Sequence, residues 1–212
     1  MSLMAIDRRS LLLGSLAFVG ASPLHQALAG AVNEIKFVSA ARRVAGDYCV
    51  LLLRADGSVA REIALSERGH DIAVDRRFGR AVVFARRPGT FAVAFDLEGK
   101  VSPTVFTSDE GRHYYGHGAF SRDGRLLYAS ENDIAGARGV IGIYNVALNY
   151  KKIGEHPSHG LGPHEIILLR DGKTLAVANG GLDTVPDAGH WVQWEQPAAF
   201  ERRLRAFVED RA

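Results

Sequence analysis

Three histidines recur at a fixed interval of 47 residues: His70, His117 and His164. Each closes a turn dipeptide, Gly69-His70, Gly116-His117 and Pro163-His164, and each opens the same short text. That text passes through a polar turn ending in Gly79-Arg80, Gly124-Arg125 or Gly172-Lys173, then enters an apolar run at 81–84, 126–129 or 174–178. Self-similarity at this period marks a stacked array of small sheets, most often a β-propeller. It constrains the fold far more than the activity.

Each unit divides into four short strands separated by turn chemistry. In the first complete unit the strands are expected at Asp71–Asp75, Ala81–Ala85, Phe91–Asp96 and Val101–Thr107, with turns at Phe78-Gly79, Pro88-Gly89 and Glu98-Gly99. In the second they are expected at Gly118–Ser121, Arg125–Ser130, Val140–Tyr144 and Tyr150–Gly154. The third begins at Glu165, has a second strand at Thr174–Ala178, and stops resembling the others near Thr184. Before His70, the stretches Glu34–Ala40, Tyr48–Arg54 and Val59–Leu65 form the last three strands of an earlier unit. The expected fold is therefore all-β: a partial β-propeller of about three and a half four-stranded blades over residues 30–184. Closed propellers take four to eight blades. Seven units of this length need roughly 330 residues, which predicts either truncation or two copies pairing through open blade edges.

The two ends read differently. Arg8-Arg9-Ser10-Leu11-Leu12-Leu13 starts an apolar segment that reaches Val19, and Ala27-Leu28-Ala29 supplies a small-x-small cleavage site. This is a twin-arginine export signal over residues 1–29, too short in its apolar part to span a bilayer. The expected location is the periplasm, with no retained membrane anchor. At the other end, Phe200, Leu204, Phe207 and Val208 follow helical spacing behind Pro197, which predicts one C-terminal α-helix.

Charge and cysteine usage narrow the functions. The signal takes two of the 26 basic and one of the 24 acidic residues, so the remainder carries a net charge of +1. That is no field for nucleic acid or anionic lipid. Cys49 is the single cysteine, so no internal disulfide forms, and within Tyr48–Leu53 it reads as a small buried hydrophobe. The pairs Arg42-Arg43, Arg76-Arg77 and Arg86-Arg87 read as solvated turn charge.

The signal, the unit Gly116–Tyr128, and above all Gly162-Pro163-His164-Glu165 with Ala178-Asn179-Gly180-Gly181-Leu182-Asp183-Thr184 resemble the "domain of unknown function 1513" family. The resemblance covers roughly residues 5–187 and implies an exported propeller related to YVTN and WD40-like repeats. That family has no established activity, and its setting beside periplasmic iron-uptake proteins implies a link to iron acquisition. The tail, Val185 to Pro197 with Gly189-His190-Trp191, is similar to the last strand-to-helix junction of α/β-hydrolases. In that family such a histidine is the general base. No Gly-x-Ser-x-Gly turn occurs in the chain, so His190 lacks the serine it would activate. Residues 185–212 are therefore read as a fusion or frame-shift product.

Candidate site residues come from the repeat. A residue just before a propeller's inner strand lies near the mouth of the central channel, so His70, His117 and His164 are expected to form an arc around one opening. Imidazoles converging there suit a metal or an anion. Identical placement in every unit also suits a structural brace that bonds within its own blade, and the brace is the favoured reading. The cluster His113-Tyr114-Tyr115-Gly116-His117 is expected on a connection between blades, where binding residues collect, with His156 and His159 on the equivalent connection of the next. The expected binding residues are thus His70, His113, His117 and His164, with no metal and no cofactor. The expected function is a non-enzymatic binding module for an unknown protein or small ligand at the channel face. The alternative is an enzyme, either a metal-dependent propeller oxidoreductase using these histidines or a remnant hydrolase using His190.

Overall fold

A computed structural model describes residues 34–181 together with Ala198, Glu201 and Arg202. The export signal, the hydrolase-like segment with His190, and nearly all of the expected C-terminal helix lie outside the described residues. Among the described residues no helix is long and apolar enough to cross a membrane.

The described chain is almost entirely antiparallel sheet. The first sheet holds β1 (Phe37–Arg42), β2 (Tyr48–Leu53) and β3 (Val59–Leu65) in sequence order. The second holds β4 (Gly69–Asp75), β5 (Arg80–Ala85), β6 (Phe91–Asp96) and β7 (Thr104–Thr107). The third holds β8 (Arg112–Phe120), β9 (Leu126–Asp133), β10 (Arg138–Asn145) and β11 (Lys151–Pro157), with a 3-10 turn at Val146–Leu148. The fourth pairs β12 (Leu161–Leu168) with β13 (Leu175–Gly181). Consecutive four-stranded meanders with the first strand of each at one side are the blades of a β-propeller, so the sequence reading of the fold holds.

The turns explain the repeat. Between β8 and β9 the Asp123 carboxylate accepts from the Arg125 amide at 3.1 Å, and between β12 and β13 Asp171 accepts from Lys173 at 2.9 Å. Each is an Asp folding back on its own backbone two residues on, which fixes a tight turn. The glycine that follows, Gly124 or Gly172, sits at φ +69° or +67°, a conformation L-residues rarely adopt.

Packing shows why the second strand of the first complete unit, β5, is a continuous apolar run. Along β5, Ala81, Val83 and Ala85 join a core against Val50, Leu52, Ile63 and Leu65 of the first sheet. Val82 and Phe84 join the opposite core, against Tyr114, Phe120, Leu127 and Tyr144 of the third. With both faces covered, the period-two alternation of a half-buried strand disappears. Each valine, leucine, isoleucine or phenylalanine among them contributes about 1.5–3 kcal/mol of burial. Cys49 is fully buried in β2, as expected.

The blades are tied together by arginines. Arg80 on β5 binds Asp75 Oδ2 through Nε at 3.2 Å and Nη2 at 3.0 Å, reaches the Gly124 carbonyl of the third sheet, and lies over the Phe78 and Phe120 rings. Arg61 on β3 reaches the Asp96 carbonyl of the second sheet in the same way. Inside the third sheet, Glu131 is fully buried and accepts from Tyr144 at 2.5 Å and from Lys152 at 2.9 Å. Burial raises the Glu131 carboxyl above its ordinary range. Burial opposes charge on Lys152 as well, but hydrogen bonds to Asp109, Glu131 and Glu155 outweigh it and raise the ammonium.

Several boundaries differ from the sequence reading. β8 begins at Arg112 and not at Gly118, so His113 to His117 lie within a strand and not on a connection. His156 likewise lies within β11. The inner strands also begin before their histidines: β4 at Gly69 and β12 at Leu161.

Candidate functional site

The first strands β4, β8 and β12 run side by side across three blades and bring His70, His117 and His164 together. The rings of His70 and His117 are 5.0 Å apart, those of His117 and His164 4.8 Å, and those of His70 and His164 6.1 Å. One nitrogen from each lies within 4.8 Å of the others. His117 is the buried member, His70 is half-buried and His164 is exposed, so the group opens to solvent on one side.

A backbone irregularity aims each ring. The ladder between first and second strands loses register between Gly69 and Ile72, between Tyr114 and Gly118, and between Pro163 and Glu165. These are the same place in three units. A bulge there turns side chains out of strict alternation, as bulges beside functional sites do. Gly116 is needed for a second reason. It sits at φ +101°, and a Cβ there would lie 2.5 Å from Cδ2 of His70 and 2.9 Å from its Cβ.

His117 is 8% exposed, and neither ring nitrogen has a hydrogen-bond partner. Its Nδ1 stands 3.4 Å from Asp71 Oδ2 and 3.4 Å from Glu165 Oε2, without an aligned bond to either. The His117 imidazole beside Asp71 holds that carboxyl below its ordinary range. Burial, and then the His117 ring, hold the His70 imidazole below its ordinary value. The His117 backbone bonds Ser130 Oγ within its own blade, but its ring makes no such bond. Arg61 and Arg80 tie one blade to the next.

Asp71 and Glu165 were missed as site residues. They occupy one repeat position, directly after His70 and His164, where the middle unit has Gly118. That exchange was the available signal: two carboxylates from the flanking blades lean on the histidine whose own neighbour has no side chain. Below the cluster, a groove of about 500 Å³ is lined by Asp71, Ala73, Gly118, Phe120, Glu165 and Ile167 among others.

His113 is not part of this group. It pairs with Asn132 at the start of β8, stacks on Tyr115 at 5.7 Å and has a buried Nδ1 without a hydrogen-bond partner. Burial and the Arg87 guanidinium lower its basicity.

A family model described as a protein of unknown function, DUF1513, matches residues 63–193, which contain the three site strands β4, β8 and β12 and the whole cluster. The chain belongs to the DUF1513 family. No curated protein matches it. Among solved structures, this DUF1513 chain is 18% identical to a 6-phosphogluconolactonase candidate from Bacteroides uniformis, with a TM-score of 0.49 over 67% of the chain and 47% of that structure. It is 16% identical to the dihydro-heme d1 dehydrogenase NirN in complex with DHE, with a TM-score of 0.42 over 57% of the chain and 27% of that structure. A third, from Lactobacillus plantarum, is 14% identical at a TM-score of 0.45 over 69% of the chain and 48% of its own. The chain thus spans from about a quarter to about half of these structures.

Proposed function

We propose that this DUF1513 protein is a periplasmic binding propeller whose ligand seats at the channel mouth on His70, His117 and His164. It acts as a binder and not as a catalyst, and serves iron acquisition in the cell envelope. The observation that carries the reading is His117: a buried imidazole with both nitrogens unbonded, facing two other imidazoles at an opening. A buried polar group without a partner costs about 1–3 kcal/mol, a cost that a bound ligand removes.

The test is a melting-temperature screen of the purified chain against divalent metal ions, inorganic phosphate, citrate and small aromatic acids. A compound that stabilises the chain and leaves His117→Ala unmoved supports the reading. A screen in which nothing separates the chain from His117→Ala refutes it.

A further inference from the structure

Resting on that reading, we infer that the ligand of the channel mouth is a divalent first-row transition ion held by His70, His117 and His164, with Asp71 and Glu165 orienting His117 behind it. Three imidazoles are the donor set that zinc, copper, nickel and iron share. Oxygen-preferring magnesium and calcium take carboxylates and carbonyls instead.

The geometry is close to what an ion requires. The donor nitrogens lie within 4.8 Å of one another. Tetrahedral ligands with Zn–N of about 2.0–2.1 Å keep their nitrogens about 3.4 Å apart. Side-chain rotations of about 1 Å close the difference, since imidazole χ2 is broad and soft. A ligating histidine characteristically gives its other ring N–H to a carboxylate, which fixes the tautomer and raises basicity. At His117, Asp71 Oδ2 and Glu165 Oε2, both 3.4 Å from Nδ1, stand where the ring turning onto an ion would bring that N–H to one of them, with Nε2 left for the ion. The two carboxylates also balance the charge of a divalent cation. Three ligands and an exposed side at His164 leave a further coordination position open to an outside molecule.

The arrangement also explains the repeat. Two blades contribute His-Asp and His-Glu, while the middle blade contributes His-Gly. Gly118 could not carry a side chain, because a Cβ would meet the Phe84 ring at 2.5 Å. The flanking blades therefore supply both carboxylates.

The experiment uses the full untagged chain after chelator treatment, titrated with Zn(II) and Co(II) by calorimetry and by visible absorption of the cobalt form. One ion per chain and an intense tetrahedral cobalt spectrum are expected. His164→Ala, an exposed position that leaves the core intact, and His117→Ala are each expected to weaken binding at least 100-fold. The double variant Asp71→Asn, Glu165→Gln is expected to weaken it 10- to 100-fold, while His156→Ala leaves it unchanged. No binding, or binding that survives both His117→Ala and His164→Ala, overturns the inference. Stabilisation by phosphate or citrate that depends on His117, in a chain that takes no metal, overturns the ion and leaves the binding propeller standing.

Discussion

Replacing Gly116 by alanine tests whether the histidine cluster depends on close approach between blades. The cost has two parts. Backbone at φ +101° strains an L-residue by about 1–3 kcal/mol. The new Cβ would also stand 2.5 Å from Cδ2, 2.9 Å from Cγ and 2.9 Å from Cβ of His70. Turning His70 about χ1 moves the first two atoms but not its Cβ, so the blades themselves must part. Overpacking of that kind adds about 1–3 kcal/mol, for a total of about 2–6 kcal/mol. Gly57 is the control: it sits at φ +82° with nothing near its would-be Cβ, so Gly57→Ala carries the backbone part alone, about 1–3 kcal/mol. Urea unfolding followed by far-ultraviolet circular dichroism measures both. Combining Gly116→Ala with His70→Ala removes the ring and returns about 1 kcal/mol as a favourable coupling. If Gly116→Ala costs no more than Gly57→Ala, or shows no coupling to His70→Ala, the close approach of β4 and β8 at this point is wrong.

Two further substitutions probe the scaffold. Lys152→Met removes the counter-charge of the buried Glu131 in the third sheet and should cost about 3–5 kcal/mol at pH 7. Because burial already raises the Glu131 carboxyl, its neutral form favours the fold at low pH and that benefit fades as pH rises through the folded value. The deficit of Lys152→Met should therefore be greatest at neutral pH and shrink as pH falls toward the ordinary carboxylate range. A deficit independent of pH in urea titrations would refute the pairing. Arg80→Lys keeps the charge but loses the fork that joins Asp75 to the Gly124 carbonyl between two aromatic rings, and should lower stability by about 1–2 kcal/mol. An unchanged urea midpoint would rule out the inter-blade role of Arg80.

The blade plan was legible because it rests on spacing, and spacing survives tertiary context. The interval between histidines, the Asp-Gly turns and the apolar second strands all reappear as elements. The first strands were harder. His113-Tyr114-Tyr115 is polar and aromatic by composition and reads as a loop, yet Tyr114 is fully buried against Phe84 and Phe106 and belongs to the core. The convergence of His70, His117 and His164 followed from the repeat. The approach of Asp71 and Glu165 did not, because strict alternation sends the residue after each histidine to the opposite face, and only the bulges cancel that rule. The arginine ties were hidden for another reason. Arg61 and Arg80 find their partners 35 and 44 residues away, and no local pattern announces a bond to another blade's turn.

The contact between His70 and His164, 6.1 Å apart and edge to face, joins the second sheet to the fourth past the one between them. Stacked repeats ordinarily owe their stability to each unit and its immediate neighbours, so they can fray one unit at a time. A meeting of non-adjacent leaves at the hub adds a longer-range coupling that such linear arrays lack. Whatever seats there acts as a rivet through three leaves. It would make their melting a single event, and it would form only once the last of the three had docked.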